Sequence, residues 1–128
     1  MIKLIVTDMD GTLMDSQNRV PDGFIDLVAR LYDKGIYTAI ATGRQYYNVA
    51  KFFKPILDKL WIVSENGAMI NKGEELVHLY SMDKEKLAPA IDDIKGIPDA
   101  YYIECTGVGA FTGPCPKHIE EEMRNIYE

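Results

Sequence analysis

Asp8 and Asp10 are the residues best suited to chemistry: two carboxylates two positions apart, directly after the apolar run Ile2-Lys3-Leu4-Ile5-Val6-Thr7. A short β-branched run of this kind reads as a strand buried on both faces, and alternate residues along a strand share a side, so Asp8 and Asp10 can address one reacting group. Carboxylates this close do not titrate independently, because an ionised neighbour raises its partner's pKa while a bound cation lowers that of its ligand. One can attack while the other donates a proton. Gly11 permits a sharp turn that brings backbone amides towards an anion, and Thr42 with Gly43 offers a hydroxyl and an amide for the anion's oxygens. Such a set suits phosphoryl transfer.

These residues need elements that bring them together. After Pro21, the helical spacing of Phe24, Ile25, Leu27, Val28 and Leu31 predicts a helix that stops at Lys34-Gly35. Ile36-Tyr37-Thr38-Ala39-Ile40-Ala41 is a second buried strand, and Val49, Phe52, Phe53, Ile56 and Leu57 suggest a second helix, broken near Pro55. Leu60-Trp61-Ile62-Val63 is a third strand. Strands alternating with helices imply an α/β fold with right-handed crossovers and a parallel sheet. Ligands of open parallel sheets bind beyond the carboxyl ends of the strands, and Asp8, Asp10, Thr42 and Gly43 all fall just past such ends.

Beyond Ser64-Glu65-Asn66-Gly67 the pattern changes. Ala68-Met69-Ile70 and Leu76-Val77-His78-Leu79-Tyr80 flank Asn71-Lys72-Gly73-Glu74, the composition of a hairpin loop, and something new is expected to begin there. A helix near Asp83 to Lys95, strands over Ala100 to Cys105 and Val108 to Thr112, and a charged helix from Pro116 to the end complete the reading.

Asp8-Met9-Asp10-Gly11-Thr12-Leu13 after an apolar strand resembles the first motif of haloacid dehalogenase-like (HAD) phosphatases. Ala41-Thr42-Gly43-Arg44 resembles the second motif, and Glu65-Asn66-Gly67-Ala68 resembles the entry to the cap domain in the Cof-like branch. The resemblance implies that Asp8 is a nucleophile forming an aspartyl-phosphate, and that Asp10 protonates the leaving alkoxide and then activates water. It implies that the Asp8 carboxylate and the Asp10 main-chain carbonyl bind Mg²⁺. Gly11, Thr12, Thr42 and Gly43 would contact phosphate, Arg44 would support the loop, and Asn66 with Gly67 would form the hinge to the cap. The corresponding fold is a partial Rossmann-like parallel sheet of the HAD core over residues 1–67, followed by the first part of an α+β cap domain over residues 68–128.

The resemblance also shows what is missing. The sequence has no third-motif lysine in a recognisable setting, Lys95 and Lys117 both lying in cap-like sequence, and no fourth-motif Gly-Asp-x-x-x-Asp or Gly-Asp-x-x-Asn-Asp block. The chain is therefore expected to stop partway through the cap. Mg²⁺ prefers near-octahedral oxygen coordination, so weak metal binding and low or no activity alone are expected. The first strand lies mid-sheet in the family. Here it becomes an edge, which predicts self-association.

Competing motifs fall on inspection. A calcium loop counted from Asp8 needs Gly at its sixth place and Glu at its twelfth, where the chain has Leu13 and Arg19. The glycines of Gly107-Val108-Gly109-Ala110-Phe111-Thr112-Gly113 miss the dinucleotide spacing, and Pro114 follows where a helix should open. Cys115 and His118 make too small a set for zinc. The 128 residues carry 14 Lys plus Arg against 20 Asp plus Glu, and a net charge of −6 disfavours a nucleic-acid partner. No apolar run reaches the roughly 18 to 20 residues of a membrane span. With 2 cysteines and no recognisable secretion signal, a cytoplasmic location is expected.

The leading functional expectation is a Mg²⁺-dependent phosphomonoester hydrolase acting on a small phosphorylated metabolite, a sugar phosphate being one candidate. A phosphomutase of the same superfamily and a non-catalytic fragment that keeps a phosphate- and metal-binding loop are the alternatives.

Overall fold

A computed structural model describes the backbone of residues 1–127 and the side chains of residues 1–124. Strands β1 (Leu4–Asp8), β2 (Tyr37–Ala41) and β3 (Leu60–Ser64) alternate with helices α1 (Phe24–Asp33) and α2 (Tyr46–Ala50). β1 pairs with β2, and β2 with β3, all parallel, so the loops after β1 and β2 lie at the ends of neighbouring strands. A hairpin of β4 (Met69–Lys72) and β5 (Glu75–Leu79) adds two antiparallel strands beyond β3.

The contacts divide the chain into a first compact unit, Met1–Leu79, and a second from Tyr80 onward. The boundary read at residue 67 thus falls inside the five-stranded sheet. The short, turn-flanked strands of the hairpin gave the appearance of a new domain, but β3 had an open edge, and β4 satisfies its backbone groups. The chain passes between units after β5, which leaves Asn66 and Gly67 as a connection between neighbouring strands of one sheet, a different place from the hinge expected there.

Register and burial identify the packed face of the sheet. Thr38 and Ile40 lie opposite Leu60 and Ile62, and Ile62 and Ser64 lie opposite Asn71 and Met69; all of these are buried. Val28 of α1, Val49 of α2, Phe53, Ile56 and Tyr46 close the core over them. Phe24 and Phe53 meet with ring centroids 6.0 Å apart, and the Tyr46 hydroxyl donates to the Gly73 carbonyl at 2.8 Å. Gly73 has φ +59°, and a Cβ there would lie 3.3 Å from the Asp58 Cα, so the hairpin tip needs glycine to pack.

The first strand departs from its expected burial. Leu4, Ile5 and Val6 are 52%, 40% and 56% exposed, because β1 is an edge strand paired only with β2 and α1 packs against β2 rather than over it. The second helix is shorter than its apolar spacing suggested: α2 ends at Ala50, Phe52 and Phe53 lie in the turn that follows, and a tight helical turn over Lys54–Lys59 with Pro55 at its start carries Ile56 and Leu57.

In the second unit, α3 (Lys84–Lys95) is capped by the Asp83 side chain accepting from the Glu85 amide at 3.0 Å. β6 (Ile103–Thr106) and β7 (Gly109–Thr112) form an antiparallel pair, and α4 (Lys117–Tyr127) follows. The last residue of the charged helix expected from Pro116, Glu128, lies outside the described residues. Among the described residues no helix is long and apolar enough to cross a membrane.

Candidate active site

The loop after β1 is set by an alternation of solvent and core. Met9 is fully buried, and its neighbours Asp8 and Asp10 are therefore turned outward together, as the strand period required. Gly11 then adopts φ +70°, ψ 2°, and the Met14 amide closes the wide turn by donating to the Met9 carbonyl at 2.9 Å. No atom crowds a Cβ at Gly11, so backbone conformation rather than space demands glycine here. The Thr12 hydroxyl makes a long hydrogen bond, 3.4 Å, to Asp8 Oδ2. Thr12, expected on phosphate, thus touches and orients the proposed nucleophile.

The turn leads into a loop held by Asp15, which accepts from the Gln17 and Arg19 amides at 2.8 and 3.0 Å and pairs with the Arg19 guanidinium at 2.8 Å. The Arg19 hydrogen bonds hold the Asp15 carboxyl below its usual range.

The loop after β2 is buried at its start. Thr42 is 7% exposed; its amide donates to the Val63 carbonyl at 2.9 Å, and its Oγ1 accepts from the Arg44 amide at 3.2 Å. An oxygen that already accepts inside the protein keeps its own O–H to donate, which is what a phosphoryl oxygen needs. Arg44 then reaches across to the first loop: its Nε donates to Asp10 Oδ2 at 3.0 Å and its Nη2 to Asp10 Oδ1 at 2.6 Å. This bidentate pair was not foreseen, since only a loop-supporting role was expected of Arg44. The sequence carried no signal for it beyond an arginine two places after Thr42.

Because the Arg44 and Asp10 side chains are 32% and 48% exposed, screening limits what the pair contributes to folding. A double-mutant cycle of Arg44→Met and Asp10→Asn, followed by urea unfolding, is expected to return a coupling of about 1 kcal/mol or less. The value of the contact lies in where it holds the Asp10 carboxylate.

The loop after β3 completes the rim. Glu65, Asn66 and Gly67 all have positive φ, +52°, +54° and +97°, a rare run for residues with side chains. Glu65 donates its amide to the Arg44 carbonyl at 3.0 Å, and Asn66 donates its amide to the Thr42 carbonyl at 3.2 Å. The Asn66 side chain packs against Gly43, where a Cβ would lie 2.9 Å from Asn66 Oδ1. A side chain at 43 would therefore push the Asn66 amide aside, a contact that the Thr-Gly pair alone did not reveal.

Among the described residues no three His, Cys, Asp or Glu side chains cluster as a metal site. Mg²⁺, however, is characteristically held by one or two protein carboxylates together with water and substrate phosphate. The Asp8 carboxylate and the Asp10 carbonyl are hard oxygen donors of the right kind, while the Asp10 carboxylate is taken up by Arg44. The donor set fits the ion in kind. Of the lysines considered for charge compensation, Lys95 pairs with Asp92 at 2.9 Å, which raises its pKa, and Lys117 faces Glu121 at 3.8 Å.

The structure thus places a paired-aspartate loop and a threonine-glycine loop side by side at the carboxyl rim of neighbouring parallel strands. The chain belongs to the haloacid dehalogenase-like hydrolases, whose family model matches residues 5–124. It is 31% identical over 112 residues to the phosphatase YwpJ of Bacillus subtilis, covering 87% of this chain and 39% of that protein. It is 29% identical to the 5-amino-6-(5-phospho-D-ribitylamino)uracil phosphatase YbjI of Escherichia coli, over 99% of this chain and 46% of that protein. Its fold matches a haloacid dehalogenase-like hydrolase structure from B. subtilis with a TM-score of 0.77 and 29% identity, covering 94% of this chain and 42% of that one. The chain spans less than half the length of these relatives.

Proposed function

We propose that the chain performs the nucleophilic chemistry of a Mg²⁺-dependent phosphomonoester hydrolase, slowly when alone. The observation that carries this reading is the shared outward orientation of Asp8 and Asp10 beside Thr42, whose hydroxyl keeps a free donor at the same rim. An Asp8 carboxylate oxygen attacks phosphorus as the P–O bond to the leaving group breaks, and the departing alkoxide takes a proton from Asp10. Asp10 then removes a proton from water, whose oxygen attacks the aspartyl-phosphate, releasing inorganic phosphate and restoring Asp8. Thr42 and the Gly43 amide hold the phosphoryl oxygens through both steps. When bound, Mg²⁺ offsets the crowding of negative charge among Asp8, Asp10 and phosphate. Both Asp10 oxygens accept from Arg44 at rest, each keeping a further lone pair, and the pair holds the carboxylate facing the rim.

A small phosphorylated metabolite is the proposed substrate, by likeness to relatives that are phosphatases, one of them named for a phosphorylated ribitylaminouracil. A cytoplasmic setting belongs to the same proposal, in keeping with a sequence that holds only two cysteines. The test is hydrolysis of a generic aryl phosphate with and without Mg²⁺. Slow, Mg²⁺-dependent release of phosphate supports the reading; transfer to a second sugar hydroxyl rather than to water would point to a phosphomutase. Phosphate binding without any turnover would leave only a binding fragment.

Self-association through the β1 edge is part of the same proposal. Leu4 and Val6 are 52% and 56% exposed along one side of a strand with an unpaired edge, and Ile2, just before it, is 69% exposed. Sedimentation is expected to show concentration-dependent association that Val6→Lys reduces. A stable monomer at high concentration would contradict it.

A further inference from the structure

We infer that Asn66 is a phosphate-contacting residue of this site, its side-chain amide hydrogen-bonding a phosphoryl oxygen beside Thr42 and Gly43; the inference rests on the phosphatase reading above. Three observations carry it. First, the side chain is at the rim itself: Asn66 Oδ1 and Nδ2 lie 2.9 and 3.5 Å from the point where a Gly43 Cβ would stand, so the amide borders the turn that presents the Thr42 hydroxyl. Second, the position is costly to hold. Glu65 and Asn66 both sit in the left-handed region, which is strained for Glu65 and only uncommon for Asn66. The loop keeps that conformation through the Asn66 and Glu65 amides bonded to the Thr42 and Arg44 carbonyls.

Third, the amide gains nothing from the protein in return. Asn66 is exposed, and among the described residues its side chain takes no hydrogen-bond partner. A plain strand connection would be served by glycine at this φ, with no side chain held beside Gly43. A neutral donor beside an anion's oxygens suits the place, because it adds a hydrogen bond to the charged ligand without adding a charge that Asp8 and Asp10 would attract.

The experiment titrates inorganic phosphate, with Mg²⁺ present, into the isotopically labelled chain and follows backbone and side-chain amide resonances by NMR, in the wild type and in Asn66→Gly. Glycine adopts the same φ without strain, so this variant removes the amide and keeps the loop. The expected result is that the Asn66 side-chain signals move together with those of Gly11, Thr12, Thr42 and Gly43, and that Asn66→Gly binds phosphate about tenfold more weakly. Movement at residues 11–12 and 42–43 with a still Asn66 amide and an unchanged affinity in Asn66→Gly would overturn the inference and leave the phosphatase reading standing. No response at residues 11–12 and 42–43 would overturn both.

Discussion

Replacing Asp8 by Asn is expected to reduce Mg²⁺-dependent aryl-phosphate hydrolysis to background, a loss of at least about a thousandfold, or about 4 kcal/mol of barrier. The amide is nearly isosteric with the carboxylate and the side chain is exposed, so folding is unaffected and the loss is chemical. Asn cannot form the acyl-phosphate, and it removes a hard anionic donor from a metal set that has few. Asp10→Asn is expected to lose less, about a hundredfold to ten-thousandfold, because it removes proton transfer and leaves the nucleophile in place. Steady-state assays of the purified variants, with unchanged circular dichroism as the folding control, decide the matter. Equal rates for Asp8→Asn and wild type would place the reaction elsewhere.

The second large effect is on stability. Phe53→Ala is expected to destabilise the first unit by about 3 to 5 kcal/mol. Phe53 is fully buried against Phe24 and stands where the short α2 gives way to the turn that leads into β3. Total stabilities of small domains lie at about 5 to 15 kcal/mol, so the loss removes a large share of what holds this sheet together. Urea unfolding monitored at Trp61, a β3 residue, would show the midpoint falling steeply. Met82→Ala, at a position 71% exposed, should leave it unchanged.

Much of this arrangement could be read from residue patterns alone. The apolar runs at residues 4–8, 37–41 and 60–64 are too short and too β-branched to be helices, and their alternation with helical spacing made the parallel sheet the natural outcome. Burial of Met9 between two outward aspartates follows directly from the two-residue period. What escaped the reading depended on neighbours distant in sequence. The edge position of β1 was expected from the missing motifs, but the exposure of Leu4 and Val6 was not, because a run of apolar residues does not say whether anything packs over it. The place of β4 depended on β3 offering an open edge, so a hairpin correctly recognised from its turn was assigned to the wrong side of the boundary between the compact units.

The same division holds within the rim. Asp8, Asp10, Thr42 and Gly43 were identified because their residue types announce chemistry. Arg44 grasps a carboxylate 34 residues earlier, and Asn66 presses on a glycine in another loop. Such contacts arise only once three strands are side by side and their carboxyl ends are level. The Asn-Gly pair did signal a left-handed turn, but a turn signal does not say what the turn touches.

If an Asp8 carboxylate oxygen accepts the phosphoryl group, as proposed, the most direct measurement is of the covalent intermediate itself. The chain would be mixed with Mg²⁺ and acetyl phosphate, quenched in acid, digested and examined by mass spectrometry, beside Asp8→Asn treated in the same way. The expected result is one phosphoryl group on the peptide that carries Asp8, absent from the variant. No adduct on that peptide, or an equal adduct on the variant, would contradict it.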